Sequence, residues 1–265
     1  MNMEFLILFL SGASIGLFSS FFGIGGGALI VPVLYSLYPD ITDTIVISTS
    51  LGTIFLITIV NSFNFYLGKM TPPSKIIIAF MFSTLIGGYL GSQLTYLVNT
   101  SVSKKIIATT LIIIVLKNIF FKTTVKEEIV RDTTLNLGLT GFFGAFISSL
   151  TGLGGGIIFV PMLLSLVKLP AKKVSPYSNI AMMFATLVGT LPHFFNPLQN
   201  ANVLNVKLAP YFIGQVNIAI VLILAVSAFF TSKLGVKFND LVNEKTKKIL
   251  LSLLLLALSM KMFLL

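Results

Sequence analysis

Charge disappears from this chain for long stretches and returns only in short gaps. Residues 5–39 and 133–167 are each 35 residues long without one charged side chain. Residues 44–68, 76–103, 174–206 and 208–232 are likewise uncharged. About 20 apolar residues are enough to cross a bilayer as a helix. The strict apolar/polar alternation of a membrane β-barrel strand is missing from these runs. The pattern predicts an all-α, polytopic membrane protein.

The pattern is also written twice. GLFSSFFGIGGGALIVPVLYSL at 16–37 aligns without a gap to AFISSLTGLGGGIIFVPMLLSL at 145–166. VISTSLGTIFLITIVNSF at 46–63 then aligns with VSPYSNIAMMFATLVGTL at 174–191, and LVNTSVSKKI at 97–106 with LVNEKTKKI at 241–249. Glycines, prolines and serines recur in one order, which chance similarity between apolar helices does not produce. The division is a first membrane repeat at 1–121, a charged linker at 122–132 and a second membrane repeat at 133–265.

Each repeat has one 35-residue run and about three shorter ones. As a single straight helix the long run would reach roughly 50 Å, against a hydrocarbon core of about 30 Å. Near its middle stand three consecutive glycines, each disfavouring helix by about 1 kcal/mol relative to alanine. This predicts helix, glycine turn, helix, either crossing with a kink or folding back as a hairpin. Lysine and arginine choose between the two. If each long run crosses once, the repeats share one orientation and the 18 basic residues split eight against ten. If each run is a hairpin, the repeats are inverted and fourteen fall on one side, leaving Lys104, Lys105, Lys207 and Lys261 opposite. The positive-inside rule expects such asymmetry. The prediction is therefore two inverted-topology repeats, each a glycine-broken hairpin plus about three spanning helices, with the linker in the cytoplasm and both termini outside. The hairpin arms can either cross fully, giving ten short spans, or stop midway, giving six spans and two re-entrant loops.

Composition agrees with a cell-membrane, multi-pass location. The chain is 55% hydrophobic and 10% charged, where soluble domains carry about 25% charged residues. The net charge of +10 lies in the gaps between runs, so it orients the protein and does not suggest nucleic acid. Cysteine is absent, which leaves redox compartment uninformative. The opening MNMEFLILFLSGASIG has no basic n-region, and its apolar run exceeds the roughly 7–15 residues of a signal peptide; it is read as structural. No long polar stretch suggests a separate soluble domain.

A backbone turn inside the membrane leaves amide and carbonyl groups without helical partners, at several kcal/mol each in lipid. Transporters built from inverted repeats place such breaks at the repeat interface, around the substrate. The second arm of each hairpin would begin near Gly26 or Gly155 and point its positive dipole end into the turn. Gly25, Gly26, Gly27, Gly154, Gly155 and Gly156 are therefore the candidate anion-binding backbone. Ser50, Asn61, Ser178 and Asn179 are the candidate side-chain contacts, because Ser recurs at matched positions 50 and 178. Ser48, Thr49 and Thr190 share these runs. Ser19-Ser20 and Ser148-Ser149 precede the glycines and are placed to cap or line the hairpins. The competing reading is that glycines and hydroxyls serve helix packing. A dinucleotide loop fits only loosely, since no strand precedes Gly23. His193, after Pro192, reads as an interfacial residue. Lys117 and Lys261, late in the last span of each repeat, can snorkel.

No Asp or Glu lies within an apolar run, and Glu4 sits only at an edge. Intramembrane carboxylates mark proton and sodium relays, so the reading is neutral donors without a coupling acid, compatible with voltage-driven uniport of an anion. One histidine, no cysteine and no buried acid also leave no cluster for catalysis, metal or cofactor, so no enzyme is expected.

The paired Gly-x-Gly-Gly-Gly-x-x-x-x-Pro element, with serines upstream and a Ser-containing second span, resembles the sulfite exporter TauE/SafE family over nearly the whole chain. The resemblance implies a many-helix permease moving sulfite, organosulfonates or related small anions, often outward, with the six glycines lining the path. Pro176-Tyr177-Ser178-Asn179 departs from the plainer Thr49-Ser50-Leu51 of the first repeat. The expected partners are a small anion and the lipid bilayer, and the reading admits a homo-oligomer. An anion channel or a permease for another small anion is the alternative; a membrane scaffold would instead pack the two turns without a cavity.

Overall fold

The computed structural model describes residues 3–22, 26–39, 41–120, 134–197, 211–242 and 244–264. The first repeat contains α1 (Met3–Phe22), α2 (Gly27–Leu37), α3 (Asp43–Leu67), α4 (Ser74–Thr95) and α5 (Thr100–Phe120). The second repeats the order as α6 (Thr134–Thr151), α7 (Gly156–Ser165), α8 (Ala171–Phe195), α9 (Ile218–Leu241) and α10 (Glu244–Leu264). Before α9 it adds a two-strand hairpin, β1 (Phe212–Ile213) and β2 (Val216–Asn217). The chain is an all-α, multi-pass membrane protein. α1, α3, α4 and the first part of α9 are long and apolar enough to cross a bilayer.

Both long uncharged runs break at their glycines, and both fold back. Tyr38 Oη, just past α2, donates to Glu4 Oε1 at the start of α1 over 2.9 Å. Asn136 Nδ2, at the start of α6, donates to the Leu166 carbonyl at the end of α7 over 3.1 Å. Each run is thus a hairpin whose two outer ends meet. The returning arms are short: α2 has 11 residues and α7 has 10, or roughly 15 Å against a core of about 30 Å. Of the two arm lengths considered, the second arms take the shorter.

The short arms are the centre of the molecule. Residues 26–32 and 151–159 are all buried, as expected for helices that are apolar all round. Pro32 and Pro161 are accommodated inside these helices. The longer helices surround them and turn side chains such as Phe82, Ile86, Phe230 and Leu253 outward.

The repeats are interlocked. α1 packs against α9 and α4 against α6, and each pair crosses from one repeat to the other. Gly12 lies against Leu224, Gly16 against Ala228, and Gly235 against Leu17, so α1 and α9 run parallel. Gly87 lies against Phe142 and Gly91 against Phe146, so α4 and α6 also run parallel. Close backbone approach through small residues is how membrane helices pack. The matched helices α3 and α8 run antiparallel: Gly52 lies near Thr190, whereas Ser62 contacts Asn179 and Met183.

Candidate functional site

Gly26 is the N-cap of α2, and its φ of 79° lies in the left-handed region. Gly26 sits beside Ile15 and Ser19, roughly two thirds of the way along α1, so the break lies within the depth that α1 spans. In the second repeat Gly152, Gly154 and Gly155 have φ of 72°, 70° and 75°. That conformation costs an L-residue with a side chain roughly 1–2 kcal/mol, which explains the glycine cluster. Gly155 is the N-cap of α7 and packs against Ser148 and Phe159.

The two breaks touch. A Cβ on Gly27 would collide with the Leu153 carbonyl. Ile54 of α3 lies against both Gly27 and Gly154, and Ile47 lies against Gly152. Ser50 Oγ donates to the Gly152 carbonyl over 2.7 Å. Ile47, Ser50 and Ile54 share one face of α3, at i, i+3 and i+7. Together they support the second glycine turn with one hydrogen bond and two apolar contacts. By the repeat, Ser178 on α8 corresponds to Ser50. Gly25 lies outside the described residues, with Gly23 and Ile24.

Neither α2 nor α7 has a side-chain cap. Among the described residues, the amides of Gly154, Gly155 and Gly156 make no backbone hydrogen bond outside the helix. The first amides of a helix have no partner within it. Two buried hydroxyls, Ser148 Oγ and Ser178 Oγ, have no hydrogen-bond partner. Buried polar groups usually have one, so the uncapped amides and the unbonded Ser148 hydroxyl, whose side chain lies against Gly155, form the polar provision around the second turn.

The other anticipated contacts are engaged in holding helices. Asn179 Nδ2 donates to the Thr58 carbonyl at 2.9 Å and to Ser62 Oγ at 2.8 Å, fastening α8 to α3. Ser50 has a single proton to donate, and it goes to Gly152. Asn61 is half-buried and lies eleven residues, about 16 Å, along α3 from Ser50; it is not gathered with the glycines.

Three features escape the sequence reading. His193 lies in the last turn of α8, and its side chain is fully buried within the protein, which the sequence did not indicate. Its ring nitrogens face Ser92 Oγ at 3.2 Å, Tyr96 Oη at 2.7 Å and Gln215 Oε1 at 3.3 Å. The β1–β2 hairpin inserts beside it: Ser48 Oγ donates to the Gln215 carbonyl, and the Asn217 amide donates to Thr49 Oγ1. The only signal for this hairpin is Gly214-Gln215 inside an uncharged run, which otherwise reads as a span. The third feature is Asp43, which is 5% exposed at the start of α3.

A groove of about 710 Å³ between α4 and α8, lined by residues such as Tyr89, Gln93, Leu191 and Phe195, lies apart from the glycine turns. Among the described residues, no group of three His, Cys, Asp or Glu is placed to hold a metal ion.

Interlocked membrane-spanning repeats meeting at two helix breaks define the class of membrane transporters. The chain belongs to the sulfite exporter TauE/SafE family, whose model matches residues 7–262. It is 28% identical, over 96% of its length and 95% of the relative's, to a probable membrane transporter protein of Methanocaldococcus jannaschii. It is 25% identical to one from Haemophilus influenzae, covering 94% and 92% of the two chains. The same identity holds for the probable membrane transporter protein YunE of Bacillus subtilis, covering 96% and 95%. No solved structure matches the chain.

Proposed function

We propose that this membrane transporter carries a small anion, sulfite or an organosulfonate, out of the cell, and binds it where the two glycine breaks meet. The carrying observation is the uncapped start of α7 beside the unbonded Ser148 hydroxyl. A helix N-terminus offers amide protons and a positive dipole end to an anion without a formal charge. Ser178 adds a second hydroxyl on the matched helix. Ser50, Ile47 and Ile54 position the turn. Antiparallel α3 and α8, with the two outer ends of each hairpin together, support inverted repeats. The fourteen-to-four split of basic residues then supports a cytoplasmic linker. In such proteins one repeat rocks against the other around a central site.

Flux into proteoliposomes, followed for sulfite, sulfoacetate, taurine, sulfate and chloride, tests the proposal. Saturable flux of sulfite or a sulfonate is expected, and Gly155→Val should abolish it. Ser148→Ala, which loses no hydrogen bond in the structure, should weaken substrate affinity while the protein stays folded. If both variants transport with unchanged affinity, the site is elsewhere. Unsaturable currents would favour a channel.

A further inference from the structure

We propose that the groove between α4 and α8 is a binding site for one phospholipid, with an acyl chain along the groove and a zwitterionic, amine-bearing head group at its Gln93–Asn196 end. This site is separate from the glycine turns and does not rest on the anion reading above.

α4 and α8 run parallel. Gly88 lies against Ala185 and Val188, and further along Ser92 Oγ and Tyr96 Oη meet the His193 ring. The groove follows the last part of both helices, from Leu85 to Gln93 on one and from Val188 to Asn196 on the other. Eight residues of helix reach about 12 Å, close to one leaflet of a hydrocarbon core about 30 Å thick. Leu90 and Leu191 stand on the walls, and Gln93 and Asn196 at the end where both helices stop. A hollow that is apolar along its length and polar at one end has the form of an amphiphile.

The bilayer supplies the occupant. α4 is long and apolar enough to cross it, and its outward-facing side continues from Phe82 to Ile86 on the groove wall. The groove is therefore a hollow in the lipid-covered surface. A hollow surrounds an acyl chain on three sides where a convex helix face touches it on one, so it holds the chain by more dispersion contacts.

Charge decides the head group. No Asp, Glu, Lys or Arg is among the described residues lining the groove. α4 ends at Thr95 and α8 at Phe195, so two helix C-termini bring their negative dipole ends to its polar end. They attract an ammonium and disfavour a head group that carries only a phosphate charge. Asn196, the C-cap of α8, is fixed there by its bond to the Pro192 carbonyl at 3.0 Å, and the Gln93 amide offers neutral donors to ester and phosphate oxygens.

The test weighs the full chain intact by native mass spectrometry after extraction from vesicles of equimolar phosphatidylethanolamine and phosphatidylglycerol. One phosphatidylethanolamine per chain is expected to survive into detergent. Leu90→Trp, on the exposed groove wall, fills the hollow and should cut that retention several-fold. Leu253→Trp puts the same ring on the exposed side of α10, away from the groove, and should leave it unchanged. Gln93→Lys adds a positive charge at the polar end and should turn the preference toward phosphatidylglycerol. A wild-type chain that keeps no lipid, or whose lipid the two tryptophan variants affect alike, overturns the site. Equal or greater retention of phosphatidylglycerol by the wild type overturns the head-group assignment. A dimer formed in place of the lipid adduct gives the groove to a second copy of the chain and overturns the proposal as well.

Discussion

Ser50 and Ser178 occupy matched positions and are equally buried, yet their substitution should have opposite consequences. Ser50→Ala strips the Gly152 carbonyl of its donor inside the protein, a loss of about 1–3 kcal/mol that thermal unfolding in detergent will register. Ser178→Ala removes a hydroxyl that bonds to nothing, so stability should hold or rise while anion affinity falls. Equal destabilisation by both would contradict the assignment. At this scale the glycines were legible because three in a row have few uses inside a membrane. Asp43 was not. A boundary drawn at the first charged residue cannot show that the charge itself is buried, and only Tyr35 and the surrounding helices reveal it. Asn179 misled for a related reason: an amide in an apolar run suits a substrate and a neighbouring helix equally well, and here both its protons go to α3.

Helix packing through small residues decides the arrangement of elements. Gly16 is pressed so closely on Ala228 that a side chain has no room. Gly16→Ile should destabilise the protein by about 1–3 kcal/mol through overpacking, whereas Ile at Gly138, which faces open space, should cost little beyond helix propensity. Comparing their unfolding temperatures checks whether the α1–α9 seam is as tight as described. The break in each long run was legible from length against bilayer thickness, and the hairpin from the lysines. The lengths of α2 and α7 were not, because glycine marks where a helix stops and not how far the next one reaches. Span ends were blurred too. The uncharged stretch 208–232 contains the β-hairpin, and α9 continues beyond it through Lys233 and Lys237 to Leu241. Long basic side chains reach water from within a span, so the end of an apolar run need not be the end of a helix.

For the molecule as a whole, the antiparallel crossing of α3 and α8 makes a directional prediction. The chain has no cysteine, so each introduced thiol reports alone. Cysteine at Lys69, just past the end of α3, and at Pro197, just past the end of α8, should label from opposite sides of the membrane, with Pro197 reached from outside intact cells. Labelling of both from one side would contradict the topology. The seams between repeats also carry a timing cost for biosynthesis. α1 is made well before the helix it lies along, which begins only at Ile218, some 215 residues later. At about 5–20 residues per second, the ribosome leaves α1 in the bilayer for tens of seconds without its neighbour, its glycine stripe facing lipid or whatever protein chaperones it there.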